Sequence, residues 1–276
     1  MILFGSKDIK FYVNKWLEDH ASLFAGKTVL DLPAGNGVSS DKMAKLGAKV
    51  HAGDLFPEFF RVQNLKCEYM DLAEELPFAD ESIDFLLCQE GIEHVSDQFH
   101  VFEEFNRVLS AKGRLLITTP NYSNLRARMS YLLNESELFG KIMPPNEVDS
   151  VWFSPEQKHK IYFGHVNLIG IQRLRLFAKL AGFDLVKVHP NRVNYTALML
   201  FPIFYPFIAY FSWASYRRMK RKQGAEAAER VKECFKLAVS PEILLQGHLI
   251  VEFAKAQRVT ASSQNKAKIS AHEFTT

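Results

Sequence analysis

The sequence predicts an α/β protein built on a doubly wound, mostly parallel sheet. Short apolar runs typical of buried parallel strands alternate with stretches whose apolar residues recur at helical spacing. The first run, Val29–Leu32, is followed by the small-residue turn Pro33–Gly37. Such a turn is typical of a strand that leads into a helix beside a ligand site. Such alternation favours parallel strands joined by right-handed crossovers.

Seven strands are predicted in chain order: Val29–Leu32, Ala48–Gly53, Lys66–Met70, Ile83–Cys88, Arg114–Thr119, Phe183–Val188 and His248–Ala254. Helices are predicted between them at 39–46, 101–109 and 171–181, each followed by a glycine that can end it. An amphipathic helix before Lys27, with apolar residues recurring from Ile9 to Leu17, is predicted to cover the ligand side of the sheet.

The chain of 276 residues, 47% hydrophobic, suits one large domain spanning 1–256. Regular alternation fails at 121–165, which we interpret as a lid or acceptor-binding insert, and again in an apolar insert at 192–245. The polar tail 257–276 is predicted to be disordered.

The overall composition restricts the compartment and the class of partner. A net charge of +3 without an extended basic face argues against a nucleic-acid partner. Three widely spaced cysteines fit a reducing compartment, and the first apolar run is too short for a signal peptide. A cytoplasmic protein is expected.

Acidic residues end or follow the first three predicted strands. Asp31 lies in the first strand, Asp54 follows the second, and Asp71 follows the third. Asp54 comes 23 residues after Asp31, close to the offset at which Rossmann-like units place an acid against a ribose diol. The alternative for Asp54 and Asp71 is a solvated acid at a strand end.

An ordered set of motifs runs from the turn to the fifth strand. It comprises the turn, Asp54, Asp71, Leu76–Phe78, Glu93–His94, the helix ending in Arg107–Leu109, and Gly113–Asn121. This set resembles the class I S-adenosylmethionine-dependent methyltransferases, most of all the branch acting on small molecules, quinones and lipid-linked acceptors. The resemblance implies a seven-stranded sheet with an antiparallel last strand and S-adenosylmethionine bound across the first four strands.

The resemblance also implies roles for individual residues. Asp31 would orient the amino group of the cofactor's methionine part, and Asp54, followed by Leu55, would hold the ribose hydroxyls. The remaining implied contacts are a wall under the methionine part from Pro33, Ala34, Gly35, Asn36 and Gly37, adenine contacts from Asp71 and Leu72, and Gln89 and Glu90 beside the transferred methyl group. Pro33 departs from the family, which usually has glycine there.

Two rival functions follow from the same residues. Gly35 and Gly37 begin a GxGxxG fingerprint for a nicotinamide dinucleotide, but Ser40 replaces the third glycine, and Asp31 suits a cationic sulfonium cofactor better than a pyrophosphate. A rival of another class is a non-catalytic, membrane-associated binding module on the same fold.

Two histidines are candidate general bases for a hydroxyl acceptor, since imidazole titrates near neutral pH. His94 follows the fourth strand, and His165 ends the first insert. The alternatives are a helix-start residue that hydrogen-bonds backbone for His94 and a structural hinge residue for His165. The nine histidines have no metal-ligand spacing, so no metal site is predicted.

The second insert lacks charged residues between Arg192 and Arg217 and is densely apolar and aromatic. Pro202 and Pro206 argue against one straight helix, which favours a re-entrant or interfacial hairpin. The basic cluster at 217–222 can meet anionic head groups. We therefore expect peripheral contact between 195–222 and an anionic membrane surface on its inner face, and an amphiphilic or lipid-linked acceptor. The alternative is a hydrophobic lid packed over the acceptor pocket.

Overall fold

A computed structural model describes residues 8–136, 146, 148, 151–153 and 161–256. The predicted tail, 257–276, and parts of the first insert lie outside the described residues. The strands are β1 (Thr28–Asp31), β2 (Lys49–Asp54), β3 (Cys67–Tyr69), β4 (Ile83–Gln89), β5 (Leu109–Pro120), β6 (Val151–Phe153), β7 (Ile161–Phe163), β8 (Phe183–Val188) and β9 (His248–Lys255).

Seven of these strands form one sheet in the order β3-β2-β1-β4-β5-β9-β8. All pairings from β3 to β5 are parallel, whereas β9 runs antiparallel to both β5 and β8. The predicted sheet with an antiparallel last strand is confirmed. The strand order reverses direction between β1 and β4, and doubly wound sheets bind ligands at such a switch point.

Seven α-helices accompany the sheet in the described residues: α1 (Ile9–Asp19), α2 (Val38–Lys45), α3 (Gln98–Val108), α4 (Leu125–Asn134), α5 (Ile171–Leu180), α6 (Tyr195–Ala238) and α7 (Pro241–Leu245). The apolar faces of α3 and α5 pack on one side of the sheet, and those of α1 and α2 on the other. Capping explains several helix starts, since the side chains of Asp8, Asp97 and Asn124 each accept a backbone N–H at a helix N-terminus.

The apolar insert forms a hairpin, but its turn is not at the prolines. The helix continues through Pro202 and Pro206, both of which are exposed, so neither ring disturbs the packed face of the helix. The chain instead breaks at Gly224, whose φ of 83° favours glycine. Tyr216 stacks on Phe235 with ring centroids 5.5 Å apart, whereas 19 residues of straight helix would separate them by about 28 Å.

The two halves of this hairpin differ in character. The first half, 195–223, packs one face against Leu125 of α4 and Leu244 of α7. Its other face is exposed and apolar, formed by Tyr195, Met199, Ile203, Phe207, Tyr210 and Phe211. Among the described residues, Tyr195–Ala225 is the one helical stretch long and apolar enough to cross a membrane, with a mean hydropathy of 1.5. The second half, 225–238, is rich in charged residues and packs on α5 through the ion pair between Arg175 and Glu233.

Candidate functional site

A cavity of about 490 Å³ lies at the switch point, over the carboxyl ends of β1, β2 and β4. Its volume falls in the usual range for small-molecule sites. Twelve of the residues predicted from the sequence line it: Asp31, Pro33, Ala34, Gly35, Asn36, Asp54, Leu55, Asp71, Leu72, Gln89, Glu90 and His94. Helix α1 also contributes Ile9 and Lys10, in agreement with the prediction that it covers the ligand side.

Gly37 and His165 are not among the lining residues. Gly37 caps α2 with a φ of +87°, and a Cβ there would lie 2.6 Å from the side chains of Phe60 and Val62. The glycine therefore allows the loop after β2 to pack closely on the turn. The ring centroid of His165 lies 5.3 Å from that of His94, which does line the cavity.

Asp31 is buried at the end of β1, and its carboxylate accepts a 2.5 Å hydrogen bond from the hydroxyl of Ser40 on α2. Burial, and to a lesser extent the charge of Asp54, raises the pKa of Asp31 to about 7. A cationic ligand group would stabilise the ionised carboxylate. The site is thus suited to the ammonium group of an amino acid.

The Asp54 carboxylate is held by the backbone on both sides. Its Oδ2 accepts from the N–H of Gly35 at 2.8 Å, and its Oδ1 accepts from the N–H of Phe56 at 2.9 Å. A carboxylate has about four acceptor sites, so both oxygens can still accept from a diol. At Gly35 a Cβ would meet nothing within 4 Å, so the turn leaves open space beside this acid. Asp71, at the end of the third strand, similarly accepts from the N–H of Ala73.

Gln89 and Glu90 end β4 and are fixed by neighbours on both sides. Gln89 Oε1 accepts from Ser39 Oγ at 3.0 Å, and Glu90 Oε1 accepts from Thr118 Oγ1 at 3.0 Å. Glu90 adopts a φ of +52°, and its N–H donates to the carbonyl of Thr118. These bonds hold two polar side chains at the middle of the cavity wall.

Glu93, His94 and His165 form a second group of polar side chains near the cavity. Glu93 is fully buried in a short 3-10 helix, and its Oε2 accepts from Thr119 Oγ1 at 3.0 Å. Burial, followed by the charge of Glu90, raises the pKa of Glu93 to about 8. Glu93, His94 and His165 each offer a potential ligand atom, and these atoms lie within 4.8 Å of one another.

Several residues of the site are not predicted from the sequence. Ser39 is predicted only as a helix residue, and Ser40 only as a helix residue that replaces a third glycine, yet their hydroxyls donate to Gln89 and Asp31. A serine in the first helical turn after a small-residue loop is the signal that could have identified them. Phe56 and Met70 line the cavity as apolar surfaces, and single apolar residues after strands give no such signal.

The cavity also fits S-adenosylmethionine on chemical grounds. The cofactor carries an ammonium group, a ribose diol and a planar base. The cavity offers a buried carboxylate at Asp31, a backbone-anchored carboxylate at Asp54, and the apolar side chains of Met70 and Leu72.

Comparisons with known proteins agree with this chemistry. A family model described as a methyltransferase domain matches residues 30–117. The chain is 29% identical over 188 residues to a ubiquinone biosynthesis O-methyltransferase of Cupriavidus pinatubonensis, covering 65% of this chain and 68% of that protein. It is 32% identical over 148 residues to the protein of the same name from Paraburkholderia phymatum, covering 50% and 62%.

Solved structures share the fold at low identity. A putative sarcosine dimethylglycine methyltransferase from Galdieria sulphuraria superposes with a TM-score of 0.50 at 16% identity, covering 93% of this chain and 92% of that one. The curated relatives match over about two thirds of their length.

Proposed function

We propose, from the premise that the chain belongs to the class I S-adenosylmethionine-dependent methyltransferases, that it transfers the methyl group of this cofactor to an oxygen or carbon of a small amphiphilic acceptor. The observation that carries the proposal is the meeting of Asp31, Asp54 and Asp71 at one cavity, each at the carboxyl end of a different parallel strand.

Within this function the chain's residues bind and orient. Asp31 would take the ammonium group, Asp54 the ribose hydroxyls, and Asp71 with Leu72 the edge and face of the adenine. Pro33 to Asn36 would form the wall under the methionine part. Gln89 and Glu90 would lie beside the methyl group, where their fixed side chains exclude water and set the direction of approach.

The bound cofactor supplies an already activated methyl group. In an in-line displacement the acceptor atom forms a bond to the methyl carbon as the carbon–sulfur bond breaks, leaving S-adenosylhomocysteine. An acceptor hydroxyl must also lose a proton. We assign assistance with that loss to His94, which lines the cavity, and to His165, whose ring centroid lies 5.3 Å from that of His94.

The hairpin supports an amphiphilic acceptor and contact with an anionic membrane surface through 195–222. Its exposed apolar row continues along the helix into Arg217, Arg218 and Arg221, which fall on the same side at 100° per residue. Arg217 also stacks over the Trp213 ring at 5.3 Å. The second half of the hairpin is charged, which favours a helix that lies in the membrane interface rather than one that crosses the bilayer.

The base of the hairpin is connected to the reaction cavity. Asn194, which caps α6, donates its backbone N–H to the carbonyl of Leu245 in α7. Three residues later His248 begins β9, and its Nε2 lies 3.5 Å from Glu90 Oε2 at the cavity wall. An acceptor drawn from a membrane would thus reach the methyl group from the side that carries the hairpin.

The test measures cofactor binding first and turnover second. Calorimetry with S-adenosylmethionine, S-adenosylhomocysteine and NADH should show binding of the first two only. The protein is then incubated with methyl-labelled cofactor and with lipid and soluble extracts of bacterial cells. Label is expected in the lipid fraction, and the Asp54→Asn variant should give far less at a cofactor concentration near the affinity of the parent.

Each outcome has a defined meaning. Binding of NADH alone would replace the proposal with a dinucleotide-binding protein. Cofactor binding without label in any extract would favour the non-catalytic module. Label confined to the soluble fraction would keep the methyl transfer and overturn the amphiphilic acceptor.

A further inference from the structure

A second cavity lies between the two halves of the hairpin. Its volume of about 460 Å³ falls in the range of small-molecule sites, and in the described part of the chain it shares no lining residue with the cofactor cavity. Its wall is mostly aromatic and aliphatic, formed by Phe211, Ser215, Tyr216 and Met219 of the first half and Val231 and Phe235 of the second half. We call this cavity the hairpin groove.

The groove exists because the packed face of the first half extends beyond α4 and α7. The side chains that pack on these two helices reach as far as Ile208. The same face continues at helical spacing through Phe211, Ser215 and Met219, which face the second half across the groove. Protein interiors seldom leave voids larger than a water molecule, and an apolar cavity of this size has affinity for apolar molecules.

The dimensions of the groove suit a hydrocarbon chain. Phe211 and Met219 are eight residues apart, so the wall extends for about 12 Å along the helix. Tyr216 and Phe235 stack with ring centroids 5.5 Å apart, and this contact holds the two walls close together. The groove is therefore elongated, which matches an unbranched acyl chain better than a compact ring system.

Polar and cationic side chains border the groove on its exposed side. Ser215, Arg218 and Lys222 are all exposed and stand at i, i+3 and i+7, on one strip of the helix between the groove and the exposed apolar row. Phe211 belongs to both the row and the groove wall, so the two surfaces meet at this strip. A hydroxyl and two cations beside an apolar groove are donors that recognise a phosphate.

Two carboxylates of the second half already have partners. Glu233 pairs with Arg175 of α5, and Glu229 pairs with Lys232, each at 3.0 Å. The charge of these acids is thus balanced on the second half. The cations of the strip can bind an external anion.

We propose that the hairpin groove binds one acyl chain of an anionic membrane phospholipid, whose phosphate is held by Ser215, Arg218 and Lys222. The occupant is a membrane lipid because the strip adjoins the exposed row, so a lipid at that row can keep its head group on the strip while one chain enters the groove. The site rests on the membrane contact in the proposed function and does not depend on methyl transfer. A lipid held in this way anchors the hairpin more durably than surface contact alone.

The first test locates the chain by crosslinking. The full-length protein is mixed with vesicles of phosphatidylcholine and phosphatidylglycerol, in which the phosphatidylglycerol carries a photoreactive diazirine at the end of one acyl chain. After irradiation, crosslinks mapped by mass spectrometry are expected on the groove wall, at Tyr216, Met219 or Phe235. Crosslinks confined to the exposed row at 195–210 would overturn the groove site.

The second test fills the groove. Protein recovered from the vesicles in mild detergent should retain one phosphatidylglycerol per chain by native mass spectrometry. Val231→Phe and Ala238→Phe, both in the groove wall, should each lower the retained fraction at least tenfold. The matched control Ala225→Phe, at an exposed position near the turn, should leave it unchanged. Ala238→Phe decides the result if Val231→Phe does not unfold cooperatively, and full retention in the folded variants overturns the proposal.

The third test examines the head group. Lys222→Gln should lower phosphatidylglycerol retention about fivefold, and the control Lys236→Gln, an exposed lysine of the second half, should not. Equal retention of phosphatidylcholine and phosphatidylglycerol would overturn the phosphate assignment. Co-sedimentation with vesicles but no retained lipid removes the groove site and leaves the membrane contact intact, whereas loss of both removes the two together. Calorimetry with S-adenosylmethionine on Val231→Phe should match the parent, because the two cavities are separate.

Discussion

The hydroxyl of Ser40 donates a 2.5 Å hydrogen bond to the buried carboxylate of Asp31, and so joins the first turn of α2 to the end of β1. The bond favours the ionised form, but burial has the larger effect and leaves the pKa of Asp31 at about 7. The charge needed to hold a cationic cofactor group is therefore only partly present at neutral pH in the free protein.

Cofactor binding should release protons near neutral pH. The cofactor's ammonium group favours ionised Asp31, so its binding lowers the pKa of that carboxyl, and affinity should rise with pH until about 7. Calorimetry at pH 6.5 in two buffers of different ionisation enthalpy measures the released protons. An Asp31→Asn variant should lose both the proton release and most of the affinity. Equal heats in the two buffers for the parent would contradict the assignment.

The same residue should limit the stability of the free protein. A raised carboxyl pKa means that stability is fully present below the unfolded value of 3.8 and is lost as pH rises towards about 7. Without cofactor, Asp31→Asn should therefore be more stable than the parent at pH 8, by about 2–4 kcal/mol, and similar to it near pH 4. Denaturant unfolding at the two pH values checks this, with Asp41→Asn on the surface of α2 as the control.

Asp54 should contribute to cofactor binding through charge and through geometry. In Asp54→Asn one oxygen becomes an NH₂ donor that faces either the Gly35 or the Phe56 N–H, so the turn loses an anchor and the diol loses an acceptor. We expect cofactor affinity to fall about 10- to 100-fold, with S-adenosylhomocysteine affected equally because both ligands carry the ribose. Unchanged affinity for either ligand would remove the ribose role.

Substitutions at Gly91 and Pro33 should have interdependent effects on stability and cofactor binding. A Cβ on Gly91 would lie 2.4 Å from Pro33 Cδ and 3.1 Å from Leu72 Cδ1. The backbone conformation of Gly91 is one that any residue can adopt, so only the lack of space excludes a side chain. Gly91→Ala should destabilise the protein by about 1–3 kcal/mol and weaken cofactor binding. The double variant with Pro33→Gly should recover part of both losses. Gly247→Ala, where a Cβ meets nothing within 4 Å, is the matched control.

Arg107 should stabilise the segment Leu76–Phe78, which comes soon after Asp71 and Leu72 in the chain. Its guanidinium donates to the carbonyls of Leu76 and Phe78 and to the Glu104 carboxylate. Lysine lacks the planar fork, so Arg107→Lys should lower the free energy of unfolding by about 1.5–3 kcal/mol. Arg61→Lys, an exposed arginine, is the control in thermal unfolding. An equal effect of the two substitutions would show that the fork geometry has no special value.

Membrane contact should depend on the exposed row of the hairpin. The triple variant Met199→Ser, Ile203→Ser and Phe207→Ser should reduce co-sedimentation with anionic vesicles about tenfold or more, because the three side chains are 60–76% exposed and form one apolar face. The control places serine at Leu176, Leu180 and Val186, which are also exposed but lie on α5 and β8. Equal loss in both triple variants would mean that general surface hydrophobicity is responsible.

Neutralising residues of the basic cluster tests how much charge contributes to membrane binding, separately from apolar contact. Arg218→Gln with Arg221→Gln should weaken binding to anionic vesicles about 30-fold, from about 1 kcal/mol per basic side chain. The weakening should disappear with uncharged vesicles. Binding that is insensitive to these changes and to vesicle charge would leave the hairpin as a lid.

The sheet and most of the residues of the cavity wall could be predicted from the sequence alone. Local periodicity identifies strands and helices. The carboxyl ends of neighbouring parallel strands lie at the same edge of the sheet. The positions of Asp31, Asp54 and Asp71 after three such strands therefore follow from the strand pattern alone. The turn at Gly35 could be placed in the same way, because a small-residue turn between a strand and a helix is a local signal.

Relationships that depend on packing between distant segments could not be predicted from the sequence and become visible only in the folded chain. His165 lies beside His94 although 71 residues separate them, and Glu93 becomes a buried carboxylate only when β5 brings Thr119 against it. The hairpin reverses at Gly224 and not at its prolines, since the contacts of Tyr216 with Phe235 are made across the turn. Spacing in the sequence reports neighbours along one element, whereas these relationships arise from the free energy of packing different elements together.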